Sequence, residues 1–385
     1  MWTALRGLLK VVGWLVLAAT LTANLYLYYY PLLQPAACTW RADSTVRLLA
    51  FGDPQIRGSD ASSSYRTKLD LYGNDHYLGH IYKTLIGALQ PTHVAVMGDL
   101  VSSQWIPDDN FYERVQRYQK RIFRPELLPS GTDIINITGN HDIGYAGEVT
   151  PERVARYEHA FGQLNFIQYY GAEEKDKYRI VVLNSLVLDG PMGHDRFRQE
   201  AWHFLETVVA RDQFTGPTIL LTHVPLAKPE GLCSDGPYFT YYGEEYGRVL
   251  REQNHLTEQT SQRVLDLVFG PGNPHGGVIL TGHDHEGCES TYYYKEGRWA
   301  VSAGNPAASN ATYPGVHEIT VRSMMGEFGG NGGLLSGWRY DNEWNFTFTL
   351  CRFGVQHIWW ASKVLTGVSV GVAVPVLSLL YLGLL

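Results

Sequence analysis

Two apolar runs near the ends of the chain set the first constraint on its fold. Residues 8–30, "LLKVVGWLVLAATLTANLYLYYY", carry one charge, Lys10, and a second run of similar length covers Val364 to Leu385. Each is about as long as the ~20 residues that a helix needs to cross a hydrocarbon core. Tyr26, Tyr28, Tyr29 and Tyr30 before Pro31, and Trp359, Trp360 and Lys363 at the entrance of the second run, suit an aromatic belt at the membrane surface. Ala18, Ala19 and Ala23 offer the small residues of a cleaved signal peptide, but the apolar run is too long for one, so an uncleaved anchor is expected. Arg6 and Lys10 favour a cytoplasmic N-terminus. The expected order is a cytoplasmic stretch at 1–7, a transmembrane helix at 8–30, a lumenal domain at 31–354, and a membrane-entry segment with a second transmembrane helix at 355–385.

The rest of the composition narrows the class. A net charge of −7 and a pI near 6.0 provide no basic surface, which excludes nucleic acid as a partner. Forty glycines and eighteen prolines beside 13% aromatic residues indicate many turns rather than disorder. The four cysteines, Cys38, Cys233, Cys288 and Cys351, lack the close spacing of a zinc site. In an oxidising lumen they can form two bridges, with three connectivities open. Cys38 and Cys351 each lie just outside a span, which would bring them together and leave Cys233 with Cys288. Sequons at Asn310 and Asn345 are expected to be glycosylated, and one at Asn136, within a strand, to be silent.

Between the spans, "VRLLAF", "HVAVM", "DIINIT", "RIVVLN", "TILLT" and "VILT" read as buried strands. Helical periodicity appears at about 76–90, 108–128, 151–162, 195–211 and 257–269. Alternation of this kind predicts a layered α/β domain. Past Cys288 the pattern changes to hairpin-like strands, "STYYYKEGRWAVS", "HEITVR" and "NFTFTL".

The residues just past the strands carry the chemistry. "GDPQ" supplies Asp53 and Gln55, "GDLVSSQW" supplies Asp99, "GNHD" supplies Asn140, His141 and Asp142, "HVPL" supplies His223, and "GHDH" supplies His283 and His285. Loops beyond the carboxyl ends of such strands form the ligand crevice of open α/β sheets. Singly, each residue has a plainer reading: Asp53 and Asp99 as helix N-caps, "GNHD" as a turn, His223 as a core histidine. Jointly, the ordered set suits two metals ~3.5–4 Å apart that clamp a phosphoryl group and lower the pKa of a bridging water. Asp53, Gln55, Asp99 and His285 are expected at one metal. Asp99, acting as a bridge, would join Asn140, His223 and His283 at the other.

These ordered motifs resemble the calcineurin-like metallophosphoesterase superfamily. Within it, "GNHDIGY", "NSLVL", "HVPL", "GHDHEGCE" and the flanking spans resemble the GPI-anchor-remodelling phosphoesterases of the early secretory pathway, and the "GDPQ" and "GDLVSSQW" variants look closer to the fungal branch. The resemblance implies a four-layer α/β/β/α sandwich flanked by two transmembrane helices, two divalent ions of the Mn²⁺ type, and the paired Cys233 and Cys288. It further implies removal of ethanolamine phosphate from a mannose of the GPI glycan on newly made GPI-anchored proteins. Those proteins, the lipid bilayer and cargo receptors for export are the implied partners, in the endoplasmic reticulum and Golgi membranes. Two departures stand out: Gln55 replaces the usual histidine, and Ser102 the usual aspartate. An amide oxygen is a harder ligand than imidazole and tilts the first metal toward Mn²⁺ or Mg²⁺. The chain closes on "YLGLL" without a dilysine tail, so residence in the endoplasmic reticulum rests on the resemblance.

The expected reaction is in-line attack of an activated water on a phosphodiester. His141, assigned to neither metal, is the candidate general acid for the mannose oxygen, with Asp142 orienting it. Trp105 and Tyr145 are the candidate contacts of the ethanolamine ammonium, through cation–π attraction. A protein phosphatase is disfavoured because no basic residues stand near the motifs to hold a monoester dianion. A phosphodiesterase for another lumenal substrate and a non-catalytic membrane scaffold or cargo receptor are the alternatives.

Overall fold

The computed structural model describes residues 2–60, 62–270, 276–304, 315–354 and 356–384. The chain runs α1 (Trp2–Leu33), β1 (Val46–Phe51), α2 (Tyr65–Leu89), β2 (His93–Val96), α3 (Asp108–Arg117), β3 (Ile134–Asn136), α4 (Asn140–Ile143) and α5 (Pro151–Phe161). It continues through β4 (Phe166–Tyr170), β5 (Tyr178–Val182), α6 (Asp195–His203), β6 (Thr218–Leu221), β7 (Phe239–Tyr241), β8 (Leu250–Gln253) and α7 (Glu258–Val268). It closes with β9 (Gly277–Thr281), β10 (Cys288–Lys295), β11 (Arg298–Ala303), β12 (Val316–Thr320), β13 (Asn331–Tyr340), β14 (Glu343–Arg352), α8 (Gln356–Val368) and α9 (Val374–Tyr381).

Two mixed sheets carry the domain. One has the order β14-β13-β1-β2-β3, the other β11-β10-β12-β9-β6-β5-β4, and β7 and β8 form a separate hairpin. β1, β2 and β3 pair in parallel in the first sheet, and β5, β6, β9 and β12 in the second. Such strands are buried on both faces, which is why they read as continuous apolar runs. Alternate residues divide between two cores, because side chains in a strand point to opposite faces. Val46, Leu48 and Ala50 meet Ile180, Val182, Ile219 and Leu280 between the sheets. Leu49 and Phe51, from the same β1, pack outward against Tyr82 and Ile86 of α2. Helix, sheet, sheet and helix therefore stack as the four expected layers.

All six expected strands are present, and the helices from 108 onward start within a residue or two of their expected positions. Three differences have physical causes. β13, "NGGLLSGWRY", hides behind its glycines: a Cβ on Gly332 would collide with Leu85 of α2, and one on Gly333 or Gly337 with Phe348 or Phe346 of β14. α2 starts at Tyr65, capped by the Ser64 hydroxyl accepting from the Thr67 amide (3.1 Å), eleven residues before its expected start, because its first turns, Tyr65–Asp70, are exposed and show no apolar period. The second apolar helix begins at Gln356 and is interrupted by a π-helical turn at Ser369–Ala373 just before Pro375, whose missing N–H disturbs the ladder there.

α1 and the α8–α9 rod are long and apolar enough to cross a membrane. The Cys38–Cys351 and Cys233–Cys288 disulfides are both formed, with Cα separations of 4.9 and 5.6 Å. Asn136 accepts from the Tyr118 hydroxyl. Asn345 lies half-buried on the edge strand β14. Asn310 lies outside the described residues.

Candidate metal centre

The five motif loops converge at the carboxyl ends of β1, β2, β3, β6 and β9. Asp53, Gln55, Asp99 and His283 all take positive φ, at +38°, +40°, +50° and +74°. Non-glycine residues avoid that region, and its concentration in one place marks a site whose geometry the surrounding fold enforces. The glycines before the ligands permit the approach of the loops. A Cβ on Gly139 would collide with Asp99, and one on Gly98 with the His223 ring. The Gln55 amide donates to the Asp99 carbonyl (2.8 Å), lacing the first two loops together.

Asp53, Asp99 and His223 form the tight nucleus among the described residues, their ligand atoms all within 4.8 Å of one another. On one side, His285 Nε2 lies 3.1 Å from Asp53 Oδ2, and Gln55 Nε2 lies 3.2 Å from His285 Nε2 and 3.3 Å from Asp99 Oδ2. A half-turn of that amide would present its oxygen in place of its nitrogen, since the two are isosteric. On the other side, His223 Nε2 lies 3.5 Å from Asp99 Oδ1 and 3.0 Å from Asn140 Oδ1. The His283 ring stands 5.1 Å from that of His223. The residues expected at each metal are thus brought together in two groups, with Asp99 facing both.

The hydrogen bonds behind the ligands fit divalent cations. His223 Nδ1 donates to the Met97 carbonyl (2.7 Å), which leaves Nε2 as a lone pair aimed at Asp99 and Asn140. His283 Nε2 donates to the Gln253 carbonyl (3.0 Å), which leaves the lone pair on Nδ1. Burial and the neighbouring His223 lower His283 to about 3, so its ring is in the neutral, ligating form. Burial opposes a charge on His285 too, yet the adjacent Asp53 raises its pKa above the usual value. A field that favours a proton there against burial also favours a cation in its place. Asp53 and Asp99 are each 1% exposed and, among the described residues, no lysine or arginine bonds their carboxylates, so two buried carboxylates are left for cations to engage.

His141 donates its amide to Asp99 Oδ1 (2.8 Å) and leaves its ring 38% exposed, with Nε2 3.8 Å from Asp99 Oδ2. Asp142 does not orient it. Both Asp142 oxygens accept from backbone, the amides of Val101 (2.9 Å) and Gly139 (2.8 Å), so this fully buried carboxylate pins the "GNHD" loop to the "GDLV" loop. Burial and then Asp99 push its pKa well above the usual carboxylate range.

Beside Asn140 and His141 opens a cavity of about 310 Å³. Tyr145 lines it with its hydroxyl 3.4 Å from His283 Nε2, tying it to a ligand histidine. Trp105 lines the rim, 62% exposed, and the Arg153 guanidinium lies over its ring at 4.2 Å. That face of Trp105 is taken by the protein's own cation. Sequence reasoning misses the carboxylates here. Glu148 is buried and accepts from Gln104 Nε2 (2.7 Å) and the Tyr242 hydroxyl, and Glu252 projects from β8. Burial, followed by Asp99, Glu252 and Glu148, pushes the Tyr145 phenol well above its ordinary value. The expected absence of basic residues also needs correcting, since Arg153 and Arg251 stand at this cavity. Both are engaged: Arg153 donates to the Glu148 carbonyl, and Arg251 pairs with Glu252 at 3.6 Å.

Residues 46–287 match the calcineurin-like phosphoesterase family, a span that begins with β1 and ends two residues past His285. The chain belongs to that family. Protein TED1 of Saccharomyces cerevisiae is 36% identical over 94% of this chain and 97% of its own length. An uncharacterized protein of Schizosaccharomyces pombe is 26% identical over 88% of this chain and 89% of its own, and Metallophosphoesterase 1 of Danio rerio is 24% identical over 68% and 70%. This calcineurin-like phosphoesterase is therefore a metal-dependent enzyme, with Asp53, Asp99 and His223 close together as candidate metal ligands. β13 and β14, beyond the matched span, complete its first sheet and join it to the second apolar helix.

Proposed function

We propose that the enzyme is a membrane-bound phosphodiesterase that releases ethanolamine phosphate from a mannose of the GPI glycan, acting on GPI-anchored proteins in the lumen of the endoplasmic reticulum and Golgi and aiding their export. The observation that carries this reading is the cavity beside His141, where two carboxylates, Glu148 and Glu252, stand among the rings of Tyr145 and Tyr242. A phosphodiester whose small arm ends in an ammonium matches that lining. The two divalent ions, Mn²⁺ in this reading, supply Lewis-acid polarisation of the phosphate and activation of the attacking water. Asp53, Gln55, Asp99 and His285 would hold one, and Asp99, Asn140, His223 and His283 the other. Water adds to phosphorus, the bond to the mannose oxygen breaks, and His141 gives that oxygen its proton. Tyr145 and the Gln253 carbonyl keep His283 in its tautomer, and Asp142 keeps the His141 loop in register with Asp99.

Glycan analysis in cells lacking the protein tests this. GPI anchors there should retain an ethanolamine phosphate that returning the wild-type chain removes and returning Asp99→Asn does not. Anchors with unchanged ethanolamine phosphate content would remove the GPI assignment while leaving the phosphoesterase.

A further inference from the structure

α2 is longer than its packing requires. From Leu71 onward it buries Leu78, Ile81 and Leu85 in the domain, but Tyr65–Asp70 are exposed throughout. Those first turns carry Tyr65, Leu69 and Tyr72, which are 81%, 44% and 50% exposed. At ~100° per residue the three fall with His76 in one ~60° sector, while Arg66 and Lys68 flank it.

Its height relative to the apolar helices follows from their register. Thr20 of α1 bonds both Leu365 and Ser369, and Asn24 bonds both Ser362 and Thr366, so one turn further Tyr28 comes level with Trp359 and Trp360. α2 touches both helices at that one level. His80 Nε2 reaches the Leu27 carbonyl (3.2 Å) and its ring meets Tyr28 at 5.0 Å, whereas His76 stacks on Trp359 at 6.4 Å and Gly73 lies against the Trp360 indole. Contacts seven residues apart, ~10 Å along a helix, thus span two packed helices whose axes lie ~8–10 Å apart, with no change of height. α2 crosses the pair transversely, in the plane of the aromatic belt, and its exposed turns continue in that plane for ~12 Å beyond Gly73.

We propose that Tyr65–His76 is a membrane-surface helix, its Tyr65–Leu69–Tyr72 stripe bedded in the headgroup layer of the bilayer that α1 and the α8–α9 rod span, with Arg66 and Lys68 facing lipid phosphates. Aromatic rings and long cationic side chains favour that layer. The metal centre is fastened to the same plane. Ser323 donates to the His285 and Asp53 carbonyls (both 3.1 Å), Phe328 sets its ring 4.8 Å from that of His285, and Gly326 between them lies against Gln356 at the start of α8. The surface helix fixes the tilt of the domain, so that the centre is presented to substrates tethered to lipid.

The test uses the full chain in phosphatidylcholine vesicles, with an environment-sensitive fluorophore on Leu69→Cys, Tyr72→Cys, Leu15→Cys or Tyr340→Cys. The native cysteines are all bridged, and each variant is first checked for hydrolysis of a soluble aryl phosphodiester. Labels at 69 and 72 should show blue-shifted emission and be quenched by lipids spin-labelled near the headgroup, while the label at 340, on the far end of β13, should not. The label at 15 should be quenched by lipids spin-labelled deep in the acyl chain. Labels at 69 and 72 behaving like the one at 340, with the one at 15 quenched, would overturn the surface helix and leave the spans. An unquenched label at 15 would overturn both.

Discussion

Asp99 faces both ligand groups, with Oδ1 toward His223 and Oδ2 toward Gln55. Asp99→Asn keeps its shape and the hydrogen bond from the His141 amide but removes the shared negative charge. Elemental analysis should find both metal ions lost and activity at background, whereas Gln55→Ala should lose one ion. Full metal content in Asp99→Asn would make the bridge wrong. His141 has a different signature. His141→Ala should keep its metals and lose roughly 10²–10⁴-fold in rate on a sugar leaving group, since protonation of the departing oxygen is a general-acid step. The loss should shrink on a nitrophenolate, which departs without a proton. Equal loss on both would reassign His141 to phosphate binding. The candidate ligands are legible in the sequence because each lies in the loop that follows a strand. The role of Asp142 is not, because adjacency in sequence says nothing about which way a side chain turns within a four-residue helix. Glu148 and Glu252 are invisible for a different reason: they meet only where the α4–α5 loop and the β7–β8 hairpin fold together.

At the scale of elements, apolar runs of valine, isoleucine and leucine make the parallel strands readable, while elements defined by partners are not. β8, "LREQ", is a charged strand whose Gln253 carbonyl holds His283, and no local pattern marks it. The two sheets also share a titratable joint. His93 of β2 bonds Thr92 Oγ1 (2.8 Å) and the Tyr178 hydroxyl of β5 (3.3 Å), and its ring lies 4.5 Å from that of Tyr170 in β4. Burial lowers its pKa from 6.5 to about 4. The unfolded chain therefore binds a proton that the folded one refuses between those values, and stability present above pH 6.5 drains away as pH falls toward 4. The loss is up to ~3 kcal/mol for this residue. His80 and His255, both lowered to about 4 by burial, act in the same direction. Melting temperature against pH should fall less steeply across this window in His93→Gln than in the wild type. An unchanged slope would mean that His93 is protonated in the folded state.

For the whole molecule, the two apolar helices and the catalytic domain behave as one object. Only 6% of the residues in the most apolar window of α1 and 17% of those in the second helix are buried within the protein, which leaves much apolar surface on both candidate membrane helices. The Cys38–Cys351 bridge joins positions 313 residues apart, tying the exit of α1 to the end of β14 just before α8. Both apolar helices are thereby fixed to the first sheet, whose parallel strands end at the candidate metal ligands. The apolar runs and the motif order make this plan readable, whereas α2's transverse crossing depends on registers that only the folded chain reveals. One reaction underlies the whole assembly, and it can be watched directly. Purified full-length enzyme in vesicles, loaded with Mn²⁺ and given a GPI glycan bearing ethanolamine phosphate on mannose in heavy-oxygen water, should release ethanolamine phosphate carrying the heavy oxygen, and chelation should abolish the release. An intact glycan in the presence of enzyme that still cleaves an aryl phosphodiester would contradict it.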